Sequence, residues 1–165
     1  MPFTPFHWGP SSWLGVLLFK IFDFPTLLIS SVVIDIEPFF VMVFNLPLPL
    51  HGFLHTFLGG SIMAVLTAIG CYFLRRTFAK IMNLFRLVQH SSFKKIIFTS
   101  FFGVYSHIVL DAFLYSEMQP FYPLKVNPFL GVFSSLEVYL FCGASFLIGI
   151  CLYAARLVLT KRKRV

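Results

Sequence analysis

Long uncharged hydrophobic runs alternate with short basic segments along the chain. Three runs, residues 57–74, 96–115 and 138–155, each have close to the ~20 residues that a helix needs to cross a bilayer. The first and last of these runs contain no charged residue, and basic residues border all three at one end. The pattern therefore predicts three membrane-spanning helices.

The first fifty residues form two shorter apolar pieces. Residues 11–22 predict a short helix that ends at Asp23. The second piece, residues 26–44, is interrupted by Pro38, and the residue before a proline is biased away from the helical region. We therefore expect a helix to end near residues 35–37. The two pieces could be two short spans or a re-entrant hairpin, since irregular backbone at membrane depth needs protein or a wet cavity around it.

Composition supports a membrane environment. Hydrophobic residues make up 58% of the chain and charged residues 12%, whereas soluble domains carry about 25% charged residues. With 165 residues the chain is long enough for one domain, residues 1–165. The expected fold is an all-α, multi-pass membrane helical bundle with three spans and two short N-terminal helices.

The net charge of +7 comes from two basic clusters, six Lys and Arg in residues 75–95 and five in residues 156–165. Basic and aromatic residues are not interleaved as a base-stacking surface requires, so no nucleic acid partner is expected. Basic clusters beside apolar runs mark the cytoplasmic side. We therefore expect both clusters in the cytoplasm, the N-terminus outside, and the protein in the inner (plasma) membrane. Residues 75–95 could be an amphipathic helix on the inner surface or an extension of the flanking helices.

Two histidine-containing pairs have the spacing of neighbours on a helix face. His51 and His55 form H-x-x-x-H, and His107 and Asp111 form H-x-x-x-D. Side chains four residues apart on a helix lie ~5–6 Å from each other, which lets both reach one ion. Imidazole nitrogen and carboxylate oxygen are the usual ligands of catalytic zinc.

The expected orientation brings further polar residues to the same outer level, namely His7, Asp35 and Glu37. An ionisable residue within a span is costly, so several at one depth indicate a shared ion or a polar network. The simpler interpretation is a set of hydrogen bonds between helices. Glu37 or Glu137 could act as the base, although Glu37 could instead cap a helix and Glu137 could be an inter-helix partner.

Four motifs, TPFHWG, DIEP, HGFLHT and SHIVLDAFLYSEMQPFYPL, occur in that order over residues 3–130. In this order they resemble the family of membrane-bound metal-dependent hydrolases, also described as LexA-binding inner-membrane-associated hydrolases. The resemblance implies a metal-dependent hydrolase embedded in the membrane.

The motifs are also similar, more distantly, to zinc-dependent phospholipase C and the P1-type nucleases. That resemblance matches His107 and Asp111 to the H-x-x-x-D pair of these enzymes, and implies that His7 joins Asp111 in bridging a neighbouring ion. It also implies that the first ion has two further ligands, namely the Asp35 carboxylate and the imidazole of either His51 or His55. A later histidine of those enzymes is missing, because residues 118–122 read MQPFY. One or two ions are therefore expected.

These observations predict a membrane-bound hydrolase that uses a divalent metal, zinc by its ligand types, on a phosphoester or lipid-like substrate at the outer face. The alternative is a non-enzymatic membrane protein with a structural metal or polar site, or a partner-binding membrane subunit. Transport is disfavoured because the polar residues crowd one end of the spans, whereas a transport route needs them at several depths.

Overall fold

A computed structural model describes residues 4–162, and all regular structure in that range is helical. Three 3-10 turns, Thr4–His7, Val33–Asp35 and Phe53–His55, lie between or before the α-helices. The α-helices are α1 (Trp8–Leu17), α2 (Phe24–Ser30), α3 (Ile36–Val43), α4 (Phe57–Leu84), α5 (Phe93–Ala112) and α6 (Ser135–Arg162). The predicted all-α class is confirmed.

Four helical segments are long and apolar enough to cross a membrane: Phe24–Val43, Phe57–Leu84, Phe93–Ala112 and Ser135–Leu159. The last three contain most of the three predicted runs, so those predictions are confirmed. The first segment comprises α2, a 3-10 turn and α3. Helix α1 has 10 residues and is about 15 Å long, half of the ~30 Å hydrocarbon core.

The expected helix end at residues 35–37 is wrong. A 3-10 turn ends at Asp35, and α3 begins at Ile36 with Pro38 in its first turn. Proline is tolerated there because the missing N–H would have no partner within the helix. The interruption lies earlier, where α2 ends at Ser30.

Side-chain caps fix where three helices begin. Asp23 caps α2, Thr56 caps α4 and Ser92 caps α5, and each side-chain oxygen accepts a backbone N–H of the first turn. The caps of α4 and α5 set the register of the two helices that flank the histidine-rich end of the bundle.

Close packing places α5 between α2 and α4, and α1 along α6. A Cβ atom on Gly103 of α5 would collide with the Ser30 hydroxyl of α2, so this crossing requires glycine. The Ser100 hydroxyl donates a hydrogen bond of 2.7 Å to the carbonyl of Ala64 in α4. Helix α5 is thereby fixed on two sides along its length.

The basic stretch of residues 75–95 begins as a continuation of α4, which passes Arg75 and Arg76 and ends at Leu84. Its remainder is a loop up to the start of α5 at Phe93. Of the two alternatives, helix extension is therefore confirmed for residues 75–84.

Candidate metal centre

Four side chains converge where α5 ends. Asp35 comes from the turn before α3, His55 from the turn before α4, and His107 and Asp111 from the last two turns of α5. Each offers one ligand atom, and these four atoms all lie within 4.8 Å of one another. A divalent ion could be held by this set, which combines two imidazoles with two carboxylates.

His107 presents its Nε2 atom to both carboxylates. Its Nδ1 lies 2.7 Å from the carbonyl oxygen of Ser31, which can only accept, so Nδ1 carries the proton. In the neutral ring Nε2 then has a lone pair, and it lies 3.3 Å from Asp35 Oδ1 and 3.2 Å from Asp111 Oδ2. A hydrogen bond to the outer nitrogen is how metal-binding histidines are usually oriented.

His55 is held in the same way. Its Nδ1 donates to Glu37 Oε2 at 2.9 Å, and its Nε2 lies 3.6 Å from Asp35 Oδ1. The Glu37 carboxylate also accepts the backbone N–H groups of Gly52 and Leu54, each at 3.1 Å. The structure therefore shows Glu37 orienting His55, while its predicted role as the base stays a prediction.

His7 and His51 extend the cluster on the side of Asp111. His7 Nε2 lies 3.2 Å from Asp111 Oδ1, and the His7 ring stacks on His107 with centroids 3.8 Å apart. His51 Nε2 lies 3.8 Å from Asp111 Oδ2. Asp111 thus faces three imidazoles with its two oxygens, an arrangement that a bridging carboxylate between two ions would have.

Several of these buried atoms make no hydrogen bond within residues 4–162: His7 Nδ1, His55 Nε2, His107 Nε2 and Asp111 Oδ1. A buried polar group without a partner costs about 1–3 kcal/mol. The cluster is therefore incomplete as a hydrogen-bonded network, and a cation between the carboxylates and the Nε2 atoms would give partners to His55 Nε2 and His107 Nε2.

Burial lowers the pKa of His7. Burial likewise lowers the pKa of His51, although its hydrogen bond with Glu117 opposes the shift. Both rings are therefore neutral at pH 7, as metal binding through an imidazole nitrogen requires.

His51 and His55 lie close together, but not on one helix face as their spacing of four predicted. Both residues precede α4, His51 in a loop and His55 in a 3-10 turn, so they do not share a helix face. Their rings are nevertheless only 4.8 Å apart and nearly perpendicular. The i, i+4 argument holds for His107 and Asp111, which both lie on α5.

Sequence reasoning overlooked two residues, Tyr115 and Glu117. Glu117 Oε1 lies 2.8 Å from His51 Nδ1, and the Tyr115 ring stacks on His51 with centroids 3.9 Å apart. Burial raises the pKa of Glu117, but the hydrogen bond with His51 and weaker favourable interactions together outweigh burial and leave the pKa lowered. The scarcity of acids could have pointed to Glu117, since it is one of only six Asp and Glu residues in the chain.

Glu137 lies at the start of α6 and forms its hydrogen bonds with Ser134 rather than with this cluster. It is exposed, and its carboxylate accepts the N–H and hydroxyl of Ser134 at 2.7 Å, while the Glu137 N–H donates to the Ser134 hydroxyl. These reciprocal bonds form a capping box at the start of α6. The structure thus shows Glu137 in a helix-capping role, and its predicted catalytic role stays a prediction.

A cavity of about 260 Å³ leads to the cluster and is lined by His51 and Glu117. The Glu117 side chain is 39% exposed, whereas that of His51 is 3% exposed, so Glu117 stands at the opening and His51 behind it. Apolar side chains of Phe53 and Tyr122 form part of the wall.

Searches of protein-family models, curated proteins and solved structures found no match to this chain.

Proposed function

We propose that the protein is a membrane-embedded metal-dependent hydrolase that holds one or two divalent ions, zinc by the ligand types. The observation that carries this proposal is the orientation of His55 and His107. Each ring has its Nδ1 proton directed to an oxygen acceptor and its Nε2 directed at a carboxylate. Such fixed tautomers are what a nitrogen-ligated cation requires.

A bound divalent ion would supply Lewis acidity and an activated water for attack on an ester. The residues of this chain would position the metal ligands and the substrate. Ser31 and Glu37 fix the two imidazole rings, and the cavity beside His51 gives a substrate access from the Glu117 side. The family resemblance in the sequence agrees with this activity and stays a prediction.

The substrate class we propose is a phosphoester of a lipid or of a metabolite near the membrane. The cavity combines apolar walls at Phe53 and Tyr122 with polar groups that include His51 and Glu117, as a lipid-like ester would need. The basic clusters lie at the other ends of α4, α5 and α6, and this distribution supports our proposal that the centre faces outward from the inner (plasma) membrane.

The first test is the metal content of detergent-purified protein, with His107→Ala and Asp111→Ala beside wild type. His90→Ala is the matched control, because His90 is exposed in the loop between α4 and α5. We expect stoichiometric metal in wild type and control, and its loss in both cluster variants, with unchanged size-exclusion profiles. Full metal content in both cluster variants would disprove the metal centre.

A structural metal centre is the second candidate, because the side chains of His55 and His107 are 0% exposed. The two candidates differ in what chelation does. A structural site loses the fold with its ion, whereas a catalytic site stays folded and regains hydrolysis of a chromogenic phosphodiester when the ion is restored. Melting on chelation, with no hydrolysis by the loaded protein, would favour the structural centre.

A further inference from the structure

A second polar cavity, of about 990 Å³, lies at the opposite end of the bundle from the metal centre. Its cationic side chains come from three parts of the chain: Lys20 after α1, Lys95 at the start of α5 and Arg156 near the end of α6. Lys95 and Asp111 are 16 residues apart on α5, which corresponds to about 24 Å. The cavity is therefore separate from the centre described above.

Two of the three cations, Lys95 and Arg156, are held in place by contacts to Phe19. Lys95 Nζ donates to the Phe19 carbonyl at 3.0 Å, and the Arg156 guanidinium lies over the Phe19 ring at 3.8 Å. The side-chain amide of Gln89 donates to the same carbonyl at 2.6 Å and to that of Phe22 at 2.8 Å. These bonds join the loop after α1 to the loop before α5, so the cavity wall is fixed.

The charged side chains that line this cavity are all positive. Gln89, His90 and Ser92 add neutral polar groups to its lining, and among the residues that the structure describes no acid lines it. The nearby Asp23 carboxylate accepts the N–H and hydroxyl of Thr26 and the hydroxyl of Ser91, which directs it into the cap of α2. A ligand that matches this cavity carries negative charge and several hydrogen-bond acceptors, as a phosphate group does.

A separate apolar groove of about 330 Å³ lies beside the cavity, and residues of α1 and α6 line both. Its walls include Val16, Ile150 and Tyr153. Val16 adjoins Leu17 of the basic cavity, and Tyr153 is one turn of α6 before Arg156. The groove therefore runs from the basic end toward the centre of the apolar helices, where an acyl chain would lie.

We propose that the basic cavity binds the phosphate headgroup of an anionic phospholipid, with an acyl chain in the adjoining groove. Basic pockets between helices on the cytoplasmic side are suited to such headgroups. The groove distinguishes a lipid from a free phosphate, because a free anion would leave it unused. This proposal does not depend on the hydrolase activity or on the metal centre.

The test is a native mass spectrometry titration of the full chain in detergent with phosphatidylglycerol and with phosphatidylcholine. Lys20→Gln is the main variant, since Lys20 is exposed and its substitution leaves the Phe19 contacts intact. Arg156→Gln is the second variant, and Lys80→Gln is the matched control, because Lys80 is exposed on α4 and does not line the cavity.

We expect preferential binding of phosphatidylglycerol, weakened about fivefold by either cavity variant and unchanged in Lys80→Gln. Equal binding of the two lipids would overturn the proposal. So would an equal loss in Lys80→Gln, which would indicate general electrostatic attraction. Inorganic phosphate that binds as tightly as phosphatidylglycerol would show a free-anion site and would overturn the lipid assignment.

Discussion

The position of Glu37 behind His55 makes a quantitative prediction about metal affinity. Its carboxylate accepts three donors: the His55 Nδ1–H at 2.9 Å and the N–H groups of Gly52 and Leu54 at 3.1 Å. Glutamine has the same shape but only one acceptor oxygen. In Glu37→Gln the new NH₂ group must face at least one of the three donors, and the negative charge behind His55 is lost.

The size of the effect can be bounded in two ways. Leaving one buried donor unpaired costs about 1–3 kcal/mol. Losing the partner that orients a metal-binding histidine typically costs 10–100-fold in metal affinity, which corresponds to about 1.4–2.7 kcal/mol. The two ranges agree, so we expect the zinc affinity of Glu37→Gln to be 10–100-fold weaker than that of wild type.

The assay is competition for zinc with a chromophoric chelator in detergent. Glu137→Gln is the control, because it makes the same chemical change in an exposed capping box at α6 and is expected to leave zinc affinity within twofold of wild type. An unchanged affinity in Glu37→Gln, or an equal loss in Glu137→Gln, would refute the assigned role of Glu37.

Three further predictions concern packing and the surroundings of the centre. Gly103→Ala should lower the thermal unfolding temperature, because the new methyl group collides with the α2 side chain that packs there. The control Gly70→Ala should not lower it, since no described atom lies within 4 Å of the added Cβ. Tyr115→Ala should weaken zinc binding several-fold by removing the ring stacked on His51, and Tyr115→Phe should not, because the stacking remains. Zinc at 100 times its dissociation constant should stabilise the metal-free protein by about 2.7 kcal/mol, measured by thermal unfolding with and without chelator.

Hydrophobic length and basic borders were enough to predict the three long helices, because both signals come from the bilayer and not from the fold. The interruption near Pro38 could not be placed the same way. A proline is disfavoured inside a helix but accepted in its first turn, and only the tertiary structure decides which applies. Here α2 ends at Ser30, where the sequence contains neither proline nor glycine.

Spacing along the sequence predicted only the part of the candidate site whose residues are close together in the chain. His107 and Asp111 share one helix, so their distance of 3.2 Å between Nε2 and Oδ2 follows from the spacing of four. The contact of His51 with Glu117 spans 66 residues and depends on how the loop after α5 folds back. No periodicity encodes such a contact, which is why Glu117 was missed.

The imidazole nitrogens that make no hydrogen bond favour an ion over a purely hydrogen-bonded network. The rings of His55 and His107 are already oriented by oxygen acceptors on their far sides, the Glu37 carboxylate and the Ser31 carbonyl. A network without an ion would need a second proton on each ring to connect Nε2 with the carboxylates. Yet His55 Nε2 and His107 Nε2 make no hydrogen bond in the described part of the chain, although carboxylate oxygens lie 3.2–3.6 Å away. One divalent cation would use both lone pairs and contact carboxylate oxygens as well, in a site where both rings are fully buried.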